Sequence, residues 1–181
     1  MKYKIIDNFM PDDIFENLHE LLLPSDGEEF KDGLIMKPTD KVPWYYMSPD
    51  MVTGEHEKGT ADWRLFYMIH LVYAHNALSP FYSTLAPHLS GLYIKALMRI
   101  KINMYPNTET IKEHGMHTDF SFSHKAAILS INTCDGYTKL EDGTKIDSVA
   151  NRMLIIDGNN PHSSSTTSDR PVRINININY F

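Results

Sequence analysis

Two stretches of the chain alternate apolar and polar residues with a period of two, and they carry similar polar types. From Leu97 to Tyr105, Ile100, Ile102 and Met104 fall on one side and Arg99, Lys101, Asn103 and Tyr105 on the other. From Arg173 to Phe181, Ile174, Ile176 and Ile178 oppose Arg173, Asn175, Asn177 and Asn179. That period predicts two strands, each with one oily and one polar face. Tyr3 to Phe9, Trp44 to Met47, Trp63 to Val72, Lys125 to Thr133 and Ala150 to Asp157 read as further strands. Turn chemistry fills the run from Asp135-Gly136 to Asp142-Gly143 and recurs at Asp157-Gly158-Asn159. The period changes to that of a helix in two places. Ile14, Phe15, Leu18, Leu21 and Leu22 follow Pro11-Asp12-Asp13 and stop before Pro24, and Ser79 to Leu89 opens with Ser79-Pro80.

An antiparallel sheet with one polar face ordinarily turns that face to water. Here the two amphipathic helices need a sheet surface to cover, which gives the oily faces a partner and leaves the polar faces to line a cavity. From residue 92 onward the chain is nearly all β, and short strands at this spacing predict a double-sheet jelly roll. The expected class is therefore mainly β with flanking α-helices: a double-stranded β-helix of cupin-like type. No Pro/Gly/Ser-rich stretch divides the 181 residues, so a single domain is expected, with helices and supporting strands in 1–92 and the jelly-roll core in 93–181. Residues 25–42 read as charged and irregular. Residues 48–62 read either as a lid or as a plain surface loop.

A formal charge of −6 and a pI near 5.8 argue against a protein that holds nucleic acid by bulk electrostatics. Cys134 is the only cysteine, which excludes an intramolecular disulfide and points to a reducing compartment. Met1 to Asp13 has no apolar signal core, and Leu65 to Tyr73 is too short to span a bilayer and contains His70. A soluble, cytoplasmic protein with no membrane partner is expected. Ser163 to Ser168 is a hydroxyl-rich loop, and there is no internal repeat.

The candidate chemistry lies between the two alternating strands. His117-Thr118-Asp119 is followed by His162 and then by Arg173. With nine histidines and fourteen aspartates in the chain, His-x-Asp arises by chance roughly 0.7 times, so its context must carry the weight. In an extended segment side chains two apart share a face, so His117 and Asp119 can reach one ion; a helix would turn them about 200° apart. Two imidazoles and a carboxylate form the facial triad of a non-haem iron(II) site, with half of an octahedron left open. His114-x-x-His117 would be a zinc-peptidase spacing on a helix, but Gly115 follows His114, no Glu intervenes and the segment lies between strands. His114 is read as a loop or substrate-side residue. His19, His56, His70, His75, His88 and His124 show no ligand spacing.

In order and spacing these motifs resemble those of the 2-oxoglutarate- and iron(II)-dependent oxygenases over roughly residues 97 to 181. The ending Asn-x-Asn-Tyr-Phe is similar to the small single-domain branch related to prolyl 4-hydroxylase catalytic domains. The resemblance implies a dioxygenase (hydroxylase) in which His117, Asp119 and His162 bind Fe(II). Arg173 would grip the distal carboxylate of the co-substrate 2-oxoglutarate, with Arg170 as the competing residue. Oxygen is the further co-substrate, and ascorbate an accessory reductant. Asn103-x-Tyr105 also looks like the co-substrate strand of the alkylation-repair branch, which makes Asn103 and Tyr105, and more weakly Asn175, candidates for the same carboxylate; whether Arg170, Arg99 or Lys101 shares it is left open. Asn177 is read as interior polar ballast. The implied substrate is a prolyl or other peptidyl side chain. The alternatives are an alkylated nucleobase, a small metabolite such as a free amino acid, or no reaction at all in a jelly-roll binding module. Phe120 and Phe122 are placed to border the open metal face, while Trp44, Tyr45, Tyr46 and Trp63 read first as core packing and second as the wall of a substrate mouth.

Overall fold

The structure is a computed structural model, and it describes residues 3–23, 42–48 and 63–181. Residues 1–2, 24–41 and 49–62 lie outside the described residues, the last stretch taking in all but Ser48 of the expected lid or surface loop. Among the described residues every pairing between the strands named below is antiparallel. The main sheet runs β1 (Tyr3–Ile6), β9 (Arg152–Asp157), β6 (Lys125–Ser130), β11 (Val172–Tyr180), β5 (Leu97–Pro106), β3 (Tyr67–Ala74) and β2 (Tyr45–Met47), with β4 (Asn76–Ala77) turned back onto β3. A second sheet runs β10 (His162–Ser164), β7 (Tyr137–Leu140) and β8 (Lys145–Asp147). Residues 107–117 run along β10 and its continuation through bridges at Asn107–Thr167, Glu113–Ser165 and His117–His162. Together the two sheets make the jelly roll.

The outer face of the main sheet carries the principal core. Ile100, Ile102, Ile174, Ile176 and Ile178 are all 0% exposed and pack with Leu18 and Leu22 of α1 (Asp12–Leu22) and with Leu85 and Leu89. Each such side chain contributes about 2 kcal/mol of burial, so these five isoleucines fix the sheet under its helices. α1 begins without a side-chain cap, and Asp12 and Asp13 favour its first turn through the helix dipole. The second helix is shorter than its periodicity predicts. It divides into α2 (Phe81–Leu85) and a 3-10 segment, Ala86–Leu92, because Pro87 supplies no N–H to the helical ladder. Trp63–Leu65 is likewise a 3-10 turn, and the strand expected there starts at Tyr67.

Between the sheets the interior changes character from one side to the other. Ala126, Ile128, Leu154 and Ile156 meet Leu140 and Ile146 in a small apolar cluster. Beside it, on β11 and β5, the inward positions are the polar series Arg173, Asn175, Asn177, Asn179 and Tyr105, Asn103, Lys101, Arg99. The polar faces therefore turn inward.

Candidate metal centre and its cavity

His117 and His162 are joined through their backbones. The His117 N–H donates to the His162 carbonyl at 3.0 Å and the His162 N–H to the His117 carbonyl at 2.9 Å, which brings the ring centroids to 4.9 Å. Each ring then anchors Nδ1 on a carbonyl two residues earlier, Gly115 at 3.2 Å and Asn160 at 3.0 Å. A ring that donates from Nδ1 presents Nε2 as a bare lone pair. His162 Nε2 lies 3.8 Å from Asp119 Oδ2, and one donor atom from each of His117, Asp119 and His162 falls within 4.8 Å of the others. Two nitrogens and one oxygen with no thiolate suit a borderline divalent ion such as iron(II).

Asp119 is held on both oxygens. Arg99 Nη2 donates to Oδ1 at 2.7 Å; the amides of Asn177 and Asn179 donate to Oδ2 at 3.1 and 2.8 Å. Burial opposes ionisation of this carboxyl, but Arg99, His162 and the two amides outweigh it and keep its pKa below the usual carboxylate range. His117 is pushed down to about 4 by burial and by its neighbour His162, so at neutral pH it is an uncharged donor.

The β5–β11 register arranges the rest of the site as rungs: Arg99 with Asn179, Lys101 with Asn177, Asn103 with Asn175, and Tyr105 with Arg173. Successive rungs are about 6.7 Å apart along the strands. The first rung holds Asp119, and the last carries a buried cation. Arg173 is 1% exposed and donates to the Ser165 carbonyl and to Thr138 Oγ1, each at 3.1 Å. Among the described residues its Nε has no hydrogen-bond partner and no carboxylate bonds to it. The guanidinium lies 5.4 Å from the centre of the Tyr105 ring, whose hydroxyl faces the Ser164 and Asn175 side chains. Gly136 leaves room for it: a Cβ there would stand 2.6 Å from Arg173 Cδ and 2.7 Å from the Thr166 carbonyl oxygen.

Of these rung residues, Lys101, Asn103, Tyr105, Asn175 and Asn177 line a cavity that reaches His117, Asp119 and His162. Asn103 donates to Asn175 Oδ1 at 2.8 Å, while Asn103 Oδ1 and Asn177 Oδ1 are buried without a partner. Lys101 also lines the cavity, with Nζ 5.9 Å from the centre of the Tyr67 ring. Burial and neighbouring Arg99 lower its pKa to about 8, against the opposing pull of Asp119.

The structure thus brings His117, Asp119, His162, Asn103, Tyr105 and Asn175 to one cavity, and sets Arg173 directly behind Tyr105. Arg170 is exposed and away from it. Asn177 is no ballast, since it bonds Asp119. His114 is buried in the cavity wall, its ring nitrogens on the carbonyls of Ser164 and Leu65. Phe120 and Phe122 stack just beyond Asp119, with the Arg99 guanidinium 4.9 Å from the Phe120 ring centre. Tyr45 and Tyr46 are 59% and 58% exposed, so they do not pack in the core as expected. Sequence reasoning gave no role to Tyr67, Gly136 or Thr138. It read the last two as part of a turn-rich run, although Thr138 is in β7.

No family model matches this sequence, and no curated protein does. Solved structures are similar in fold. A prolyl hydroxylase from Trichoplax adhaerens, in complex with a hypoxia inducible factor oxygen degradation domain peptide fragment, superposes with a TM-score of 0.64 at 15% identity, over 99% of this chain and 83% of the other. A 2OG-Fe(II) oxygenase family protein from Burkholderia pseudomallei gives 0.65 at 8% identity, over 98% and 84%. The fold is that of the 2-oxoglutarate oxygenases. A viral collagen prolyl hydroxylase from Paramecium Bursaria Chlorella virus-1, in its 2OG complex, shares this oxygenase fold at a TM-score of 0.60 and 10% identity, over 100% and 97%.

Proposed function

We propose that this chain is a 2-oxoglutarate- and iron(II)-dependent dioxygenase that hydroxylates a C–H bond. The observation that carries the reading is a single polar cavity with a His–Asp–His cluster toward one end and Tyr105 toward the other, and behind Tyr105 a buried guanidinium that has no carboxylate partner among the described residues. A buried charge left unpaired is costly, and a dicarboxylate that spans the cavity would answer it.

His117, Asp119 and His162 would hold the iron. Bound there, iron(II) supplies the redox chemistry: 2-oxoglutarate is decarboxylated to succinate and carbon dioxide as dioxygen is consumed, one oxygen atom entering succinate and the other the substrate C–H bond. The Nδ1 anchors keep both imidazoles in the ligating tautomer, and Arg99, Asn177 and Asn179 fix the Asp119 carboxylate. Arg173, with its planar fork and permanent charge, would take the distal carboxylate, and the Tyr105 hydroxyl and the Asn103–Asn175 amides would flank the chain between. The ladder keeps solvent from this end of the site.

The prolyl hydroxylases among the solved structures make a prolyl or other peptidyl side chain the first substrate to assay, by succinate release. The test of the reading itself precedes it. Anaerobic addition of iron(II) and then 2-oxoglutarate should produce the weak visible charge-transfer band of the chelate, and His117→Ala and Asp119→Ala should each lose it while remaining folded. A wild-type protein that binds neither component overturns the proposal and leaves the jelly roll as a binding module.

A further inference from the structure

Charge balance in the cavity points beyond the co-substrate. Arg99, Lys101 and Arg173 bring three positive charges to the site, and a divalent metal adds two. Against them stand Asp119 and the two carboxylates of 2-oxoglutarate. Two positive charges remain unanswered in the loaded site. Arg99 is engaged with Asp119, and Arg173 lies behind Tyr105 at the far end. The open surplus is therefore at Lys101, which among the described residues faces the Tyr67 ring, Arg99, Asp119 and His117, with no carboxylate bonded to it.

A second feature lies beside it. Asn177 faces Lys101 across the β5–β11 register and is 6% exposed. Its amide N–H₂ is committed to Asp119 Oδ2, which fixes the amide orientation and leaves Oδ1, a pure acceptor, without a partner among the described residues. Next to the metal ligands the cavity thus offers a cation and a hydrogen-bond acceptor side by side. 2-Oxoglutarate has no N–H or O–H to give that acceptor.

Resting on the oxygenase reading, we propose that the primary substrate is a free amino acid, its carboxylate bound by Lys101 and its ammonium donating to Asn177 Oδ1. Free proline satisfies both groups. Proline inside a peptide has lost its carboxylate and its N–H, so the same ring would leave Lys101 and Asn177 unanswered.

The test is calorimetry on the full chain loaded with manganese(II), which accepts nitrogen and oxygen ligands without starting oxidation, and with 2-oxoglutarate. The first reading is whether metal and co-substrate bind; their failure removes the oxygenase reading and this proposal with it. The loaded protein is then titrated with the twenty common L-amino acids, with the carboxamide of any that binds, with N-acetyl-L-prolinamide, and with a short Asp/Glu-containing peptide. At least one free amino acid should bind, its carboxamide at least tenfold more weakly. Lys101→Met should lose at least tenfold in that affinity while metal and 2-oxoglutarate affinities stay within twofold, and Lys101→Arg should recover part of the loss. Absence of binding by every free amino acid, equal binding of acid and carboxamide, or binding of a peptide alone overturns the proposal while the oxygenase reading stands. A Lys101→Met protein that loses 2-oxoglutarate as strongly as the amino acid also overturns it, and transfers Lys101 to the co-substrate.

Discussion

Replacing Arg173 by methionine separates the energetics of the fold from those of the site. The guanidinium is 1% exposed and makes two hydrogen bonds, to the Ser165 carbonyl and Thr138 Oγ1, while its Nε has no partner. Losing those two bonds costs about 1.5–3 kcal/mol each as hydrogen bonds to a charged donor. Against this, methionine removes a buried cation that has no carboxylate partner, a desolvation burden of several kcal/mol, and keeps most of the apolar stem volume. The terms nearly cancel, so the melting temperature should move by only a few degrees in either direction. Co-substrate binding has no such compensation. Two charge-assisted bonds to the distal carboxylate, from Nε and a free Nη hydrogen, are together worth about 3–4 kcal/mol, or roughly 10²- to 10³-fold in Kd. Calorimetric titration of the manganese(II)-loaded variant with 2-oxoglutarate reads that loss, and the manganese affinity measured alongside should be unchanged. A loss in 2-oxoglutarate affinity below fivefold would refute the assignment. So would a collapse of the fold, which would show the cation to be structural.

Gly136→Ala should reach the same endpoint indirectly. Its Cβ would press on Arg173 Cδ at 2.6 Å and on the Thr166 carbonyl at 2.7 Å, so about 1–3 kcal/mol of stability and roughly tenfold in 2-oxoglutarate affinity should be lost together. Melting curves and calorimetry check the pair. Asp119→Asn keeps the shape of the residue but removes the charge opposite Arg99; metal affinity should fall by at least 10²-fold, measured by manganese(II) titration. Glu113 sets an acid-side dependence of stability. Lys139, Tyr137 and Lys145 hold its carboxyl at about 2, below the 4.5 of an unfolded chain, so its contribution is present above pH 4.5 and lost as the pH falls toward 2. With 34% of the side chain exposed, screening leaves that contribution at about 1 kcal/mol. Denaturant curves of wild type and Glu113→Gln should therefore differ near neutrality and converge as the pH falls from 4.5 toward 3; a constant difference would exclude the linkage.

What was legible in the sequence was periodic. The alternation in Leu97–Tyr105 and Arg173–Phe181 placed Ile100, Ile102, Ile174, Ile176 and Ile178 against the helices, because a period of two admits only two faces and α1 needed one of them. The same argument aimed the polar residues inward and so brought Asn103, Tyr105 and Asn175 to the cavity before any tertiary contact was known. What was not legible depended on pairing between distant segments. Thr138 and Gly136 sit in a run dominated by turn residues, and their bearing on Arg173 exists only once β7 lies beside β10 and its continuation. Pro87 was visible, but α-helical periodicity outweighed it in the reading of Ser79–Leu89, whereas in the chain the missing N–H decides.

Asn177 shows why composition alone underestimates such a site. An asparagine on a buried strand face has many ways to satisfy its amide, and ballast is the ordinary one. Its neighbours on the ladder change the outcome. With Asn179 beside it on β11 and Arg99 on the facing strand, three donors converge on one carboxylate, and Asp119 stays ionised although its side chain is only 3% exposed. A lone carboxylate so deeply buried would take up a proton rather than stay charged. The polar faces of β5 and β11 therefore form one device: at the Asp119 end they keep a proposed metal ligand charged, and at the Arg173 end they hold a cation with no carboxylate partner among the described residues, with the distance between the two set by the strand rise.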